Sequence, residues 1–212
     1  MTAVVVTAPW IKKRHDEKTQ RQATDAYLER MSMRGVERVF SVSRNTLAQW
    51  LVEEGDALPD LSATLAKPQP KDVLELDELW SFVLNKSNKR WVWLALCRRT
   101  RQIVAYVIGD RSEATCRRLW ERIPEAYRHC RTFSDFWEAY QLVFPEETHS
   151  SVGKDSGQTN HIERWNNTLR QRLARFVRKT LSFSKSDRFH DLVLKIFIHR
   201  YNRSRLRLIS QN

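Results

Sequence analysis

Val73-Leu74-Glu75-Leu76-Asp77-Glu78-Leu79-Trp80-Ser81-Phe82-Val83 is the stretch that decides the fold. It is short, apolar-dense and rich in residues that favour a pleated strand. Asn85-Lys86-Ser87-Asn88 follows as a turn of residues that tolerate tight bends. Arg90–Cys97 then reads as a second strand and Gln102–Ile108 as a third, joined by Arg98–Arg101. Ser112 is placed to cap a helix over Glu113–Tyr127, with Ala114, Leu119, Trp120 and Ile123 inward. Cys130–Ser134 is predicted as a fourth strand and Gln141–Phe144 as a fifth. From about Asn160 to Val177, Ile162, Trp165, Leu169, Leu173 and Phe176 recur at helical steps. Arg188–Tyr201 repeats such a stripe with Phe189, Leu192, Ile196 and Phe197. Three strands, a helix, two further strands and terminal helices predict an α/β class, a mixed sheet with flanking helices.

Upstream, residues 17–55 read as helices. Asp25–Met33 carries Ala26, Leu28 and Met31 at helical spacing, and Gly35 is expected to break that helix. Ser43 is placed as the N-cap of Arg44–Glu53, in which Leu47, Trp50 and Leu51 face inward. Two short helices with Arg44, Asn45 and Gln49 outward on the second match a helix-turn-helix, whose N-terminal residues meet base edges. An ordinary helical hairpin fits the same pattern. Residues 56–71 hold three prolines and no sustained period, and read as a linker. The predicted division is therefore 1–55 helix-turn-helix, 56–71 linker and 72–212 α/β domain with basic C-terminal helices.

The chain has 212 residues and a formal net charge of +12. From Arg164 to Asn212 there are 13 Lys and Arg against two acids, Asp187 and Asp191, so nearly the whole excess lies there. Such concentration points to a polyanionic partner, most often nucleic acid. A helix with a cationic solvent face is the plainer reading. Cys97, Cys116 and Cys130 are odd in number and widely spaced, which argues against a disulfide framework or structural zinc site and for a reduced, cytoplasmic setting. The longest apolar run is far below a membrane span, and the opening MTAVVVTAPW lacks the basic start of a signal peptide.

Three carboxylates fall at suggestive places. Asp77 lies inside the first strand, Asp135 just past the fourth, and Glu163 near the start of the long helix. Each alone has a plain reading, as an edge-strand acid, a helix cap and a first-turn acid favoured by the helix dipole. Together they would repel, since two charges about 4 Å apart cost roughly 4 kcal/mol at an effective dielectric of about 20. Such a cluster needs divalent cations, and hard oxygen ligands select Mg²⁺ or Mn²⁺. Two ions in such a site can serve phosphoryl transfer. His149, His161, His190 and His199 offer a metal–histidine alternative without a convincing ligand spacing.

The stretch from Glu75 to Asn202 resembles the insertion sequence one transposases, a bacterial family of the DDE superfamily. The resemblance is carried by Leu76-Asp77-Glu78-Leu79-Trp80-Ser81-Phe82, Lys89-Arg90-Trp91-Val92-Trp93-Leu94-Ala95, Ser134-Asp135-Phe136-Trp137-Glu138-Ala139-Tyr140 and Gln158–Arg170, with Val177–Lys185 also similar. It implies a ribonuclease-H-like fold and a triad of Asp77, Asp135 and Glu163, holding two Mg²⁺ or Mn²⁺ ions. It also implies a basic residue seven positions after the glutamate, Arg170, contacting DNA near the cleavage point. Members of the family usually begin with a cysteine-rich zinc ribbon, and this chain has no cysteine before Cys97.

On this resemblance the expected function is metal-dependent 3′-end cleavage and strand transfer on double-stranded DNA, by a homodimer or larger assembly at the nucleoid. Asn167, Arg170, Arg172, Arg175, Arg178 and Lys179 are expected to bind DNA beside the triad, as Arg44, Asn45 and Gln49 do upstream. If about six phosphates were neutralised, log affinity would fall against log salt with a slope near −5. The rivals are a catalytically inactive, truncated copy acting as a DNA-binding repressor and a nuclease that cuts without joining.

Overall fold

The computed structural model describes residues 15–211, so the opening apolar decapeptide lies outside the described residues. At its centre is a five-stranded mixed sheet of β1 (Val73–Phe82), β2 (Lys89–Cys97), β3 (Ile103–Gly109), β4 (Arg131–Ser134) and β5 (His149–Ser151). The strand order is β3-β2-β1-β4-β5. The first three form an antiparallel meander, β4 lies parallel to β1, and β5 parallel to β4.

Alternation along β1 divides the acids between two faces. Leu74, Leu76 and Glu78 face a core shared with α4 (Glu113–Arg122), α5 (Glu125–Arg128) and α6 (Glu138–Val143). Glu75, Asp77, Leu79 and Ser81 face the opposite core, built with α7 (Asn160–Arg172) and α8 (Asp187–Ile209). That second core continues into α1 (Glu17–Leu28), α2 (Met33–Phe40) and α3 (Arg44–Asp56), whose Tyr27, Val36, Leu47 and Leu51 cluster with Leu192, Ile196 and Phe197. Each fully buried side chain of this size contributes roughly 1.5–3 kcal/mol.

Several expectations are corrected. Gln141–Phe144 is not a strand: its apolar residues extend α6, and Pro145 follows where a helix must stop. The fifth strand is the polar triplet His149–Ser151. The helix from Glu113 divides at Pro124, which starts α5 as its N-cap. Gly35 lies inside α2, where Ser32 caps its amide at 3.0 Å and an added Cβ would sit 2.8 Å from Met31 Cγ. The preceding helix ends earlier, before Arg30 turns left-handed at φ 73°. Residues 56–71 are fastened to the sheet. Gln102 bonds the Thr64 carbonyl and the Ala66 amide at 2.7 and 2.9 Å, and the Tyr127 hydroxyl donates to the Ala66 carbonyl at 2.7 Å. Ser43 caps α3 as expected, its Oγ accepting from Thr46 N at 3.1 Å.

Candidate functional site

The last paired couple between β1 and β4 is Glu75 with Phe133. Two residues further along each of these parallel strands stand Asp77 and Asp135. Pairing stops there, and the chain after β4 turns away through an Asx turn, Trp137 N donating to Asp135 Oδ1 at 3.0 Å. The two residues thus stand on neighbouring strands where the sheet opens, near enough for Asp135 to raise the Asp77 carboxyl.

Asp77 is poorly compensated. Its Oδ1 accepts the Glu78 amide at 2.8 Å and its Oδ2 accepts Asn166 Nδ2 at 2.6 Å. Burial, reinforced by the neighbouring Glu78 and Asp135 carboxylates, pushes its carboxyl up to about 7. Asn166 is itself buried, and its Oδ1 has no hydrogen-bond partner. Buried amide oxygens are rarely left so.

The helix that brings Asn166 is set by a residue the sequence reading passed over. Glu75 has no exposed surface. Its Oε2 accepts the amides of His161 and Ile162 at 2.9 and 3.1 Å, capping α7 from the sheet because Thr159 makes no side-chain cap. Its Oε1 takes Arg98 Nε at 2.8 Å and His161 Nδ1 at 2.7 Å. The apolar run around Glu75 hid this role; the signal was a second acid on the same strand face as Asp77.

Glu163 stands on the first turn of α7, exposed, with Thr159 Oγ1 donating to it at 3.2 Å. Asn166 follows three residues on and Arg170 seven, on one side of the helix. Among the described residues no three His, Cys, Asp or Glu side chains lie close enough to hold a metal ion. Asp77 and Asp135 are therefore brought together, while Glu163 remains one helical turn from Asn166. The donors nevertheless suit a hard cation: two carboxylates and an unpartnered buried amide oxygen.

On the other side of β1, Glu78 is held by Arg111 and by the Tyr140 hydroxyl at 2.9 Å. The Arg111 guanidinium lies between the rings of Trp91 and Trp137, at 4.7 and 4.0 Å from their centroids. Burial still raises the Glu78 carboxyl.

The predicted basic residues separate. Arg170 is half-buried beside the site; burial and Arg178 lower its pKa while Asp77 opposes the shift. Asn167, Arg178 and Lys179 are exposed. Arg172 is instead engaged by Glu29 and lies 4.8 Å over Phe197, tying α7 to the end of α1 and to α8. Arg175 is no outer-surface residue: it is 8% exposed, and burial lowers its guanidinium to about 10. Arg44 pairs with Glu37 at 3.2 Å and Gln49 with Glu53 at 2.8 Å, both in the open, and Asn45 is exposed. Three of the four candidate histidines are held singly, His149 by Thr132 and Ser134, His161 by Glu75, and His190 by Ser81 and Ser184, while His199 Nδ1 is buried without a partner among the described residues. Burial lowers His190 to about 3 and His199 to about 4.

The family model for IS1 transposase matches residues 72–203, from the foot of β1 into the last third of α8. The chain belongs to the IS1 transposase family. It is 39% identical over 129 residues to the insertion element iso-IS1n protein InsB of Shigella dysenteriae, covering 61% of this chain and 95% of that protein. To the IS1 protein InsB of Shigella flexneri it is 38% identical over 125 residues, 59% of this chain and 92% of the relative. To the IS1 4 protein InsB of Escherichia coli K12 it is 37% identical, covering 59% and 72%. Membership of the IS1 transposase family makes DNA the partner and DNA processing the activity. No helix among the described residues is long and apolar enough to cross a membrane.

Proposed function

We propose that this member of the IS1 transposase family is a DDE enzyme on a ribonuclease-H-like scaffold, cleaving element 3′ ends and joining them to target DNA. The observation that carries the reading is Asp77, a largely enclosed acid whose carboxyl is raised by burial and by two further acids, Glu78 and Asp135. Strand order β3-β2-β1-β4-β5 with β4 parallel to β1 supports the scaffold.

Asp77, Asp135 and Glu163 would hold two Mg²⁺ or Mn²⁺ ions, with the free Asn166 Oδ1 turned to the same place. When bound, such ions neutralise phosphate charge and make water or a 3′-hydroxyl a better nucleophile. The chain's own groups position. Asn166 fixes the Asp77 carboxylate, Glu75 fixes the first turn of α7, and Arg170 meets a phosphate beside the cut. In the first step a water oxygen bonds to phosphorus and the 3′-oxygen leaves; in the second that 3′-hydroxyl oxygen bonds to a target phosphorus, losing its proton, as the target strand's own 3′-oxygen leaves. Both are in-line displacements in which alignment supplies much of the rate. Exposed Arg44, Asn45 and Gln49 on α3, entered through the turn at 41–43, support a helix-turn-helix reading of base edges. Joining two element ends calls for at least two copies of the chain.

The test is cleavage and joining of duplexes bearing the element's terminal repeats in Mg²⁺ or Mn²⁺, with Asp77→Asn, Asp135→Asn and Glu163→Gln alongside. The reading requires 3′-end cleavage and joined products that all three substitutions abolish. Binding without cleavage in either metal would make the chain a DNA-binding repressor, and cleavage without joining a nuclease.

A further inference from the structure

Behind α7, away from Asp77, a cleft of about 740 Å³ opens between the N-terminal helices and the connection from α7 to α8. Arg34, Arg44, Arg175 and Lys185 line it, and no Asp or Glu does. The first residues of α2 and α3, Met33 and Arg44, and the α8 cap Ser186 are also in its walls. Three helix N-termini therefore border one concave place whose lining side chains carry only positive charge, Arg44 alone of them being ion-paired among the described residues, with Glu37, and each N-terminus presents partial positive charge.

Arg175 forms its buried part and has no ion pair among the described residues. It donates to Ser184 Oγ at 2.9 Å and lies over the rings of Tyr27 and Phe189. From Ser184 the hydrogen bonds run on to His190 Nδ1 at 2.7 Å, from His190 Nε2 to Ser81 at 2.9 Å, and from Ser81 to the Arg90 carbonyl at 3.0 Å. That path ends on a neutral carbonyl, so no carboxylate cancels the charge. The hydroxyl of Tyr27, in the same wall, is buried without a hydrogen-bond partner. A buried cation lacking a counter-ion is costly and persists where a ligand completes it.

We propose that this cleft binds successive backbone phosphates of duplex DNA, one on Arg175 and others on Arg34 and Lys185 at the rim, joining α3 and the α7–α8 connection into one DNA-binding surface. The proposal rests on DNA as the family's partner and not on the carboxylate site.

The experiment measures binding of a short fluorescent duplex across a salt series in EDTA, where catalysis plays no part. Arg175→Met keeps the apolar stem and removes the unpaired charge. It is expected to melt no lower than the parent, bind about tenfold more weakly, and lower the salt slope by about 1. Arg34→Gln with Lys185→Gln changes only exposed side chains; the slope should fall by about 2. Arg117→Gln, on the far side of the sheet, should leave it unchanged. Parental affinity and slope in both cleft variants would overturn the proposal. So would stabilisation by inorganic phosphate that Arg175→Met abolishes while duplex binding stays parental, which would mark a small-anion site. If Arg175→Met does not fold, the double variant decides alone.

Discussion

Glu75 and Asp77 lie two residues apart on one strand and one face, yet the fold treats them oppositely. Glu75 is sealed from water and meets a guanidinium, an imidazole and two helix amides. Asp77 is less completely enclosed and feels the Glu78 and Asp135 carboxylates, with one amide side chain and one backbone amide bonded to it and the Arg170 guanidinium as an unbonded neighbour. Burial of an acid therefore says little about its role here. The informative quantity is the charge facing it: Glu75 is completed within the chain and fixes a helix, whereas Asp77 is left for something the chain does not supply.

The largest effect should come from breaking the completed acid. Glu75→Gln turns an NH₂ toward donors and strands Arg98, and should cost about 3–5 kcal/mol in urea unfolding. Loss of under about 1 kcal/mol would mean that α7 is anchored elsewhere.

Asp77→Asn should act in the opposite direction. The folded carboxyl titrates near 7 against an ordinary 3.8, so the fold holds an extra proton between those values. The contribution of Asp77 to stability therefore falls as pH rises from about 4 to 7, a penalty of up to about 4 kcal/mol above pH 7. An asparagine carries no such penalty, and its NH₂ can bond the orphaned Asn166 Oδ1 once that amide turns. The variant should match the wild type near pH 4 and melt several degrees higher at pH 8 while losing cleavage. Both proteins share an opposite contribution from His190 and His199, lowered from 6.5 to about 3 and about 4. The unfolded chain takes up those protons first, so that contribution should rise from about pH 4 to 6.5. A variant less stable than wild type at pH 8 would show that Asp77 is compensated after all.

Smaller again is the response to metal. Mg²⁺ or Mn²⁺ should raise the wild-type melting temperature at pH 8 by a few degrees and leave Asp77→Asn unmoved; equal shifts in both would place the ion elsewhere. The smallest effect belongs to Arg172→Ala. Its pairing with Glu29 is largely exposed, so the loss should stay below about 1 kcal/mol, and the salt slope for DNA should hardly change. A slope lower by about 1 would return Arg172 to the DNA surface.

What could be read in the sequence follows the same division. Strands β1 to β4, the cap at Ser43 and the stripe of α7 announce themselves through local pattern. So does the order strand, strand end and helix for Asp77, Asp135 and Glu163. Local pattern misled at 141–144, where an apolar run served a helix as well as a strand, and β5 is too short and polar to carry a period. The hold on residues 56–71 depends on Gln102 and Tyr127, distant in the chain. Glu75, Arg172 and Arg175 needed the folded chain too, because each is defined by what lies opposite: α7's first turn, Glu29, and the floor of a cleft.

The most direct test of the difference between the two acids is the titration of the Asp77 carboxyl by carbon-detected NMR, with and without Mg²⁺. The account predicts a midpoint near 7 in the absence of metal and a drop of more than one unit on adding it. A midpoint near 4 without metal, or one near 7 that Mg²⁺ does not move, would contradict it.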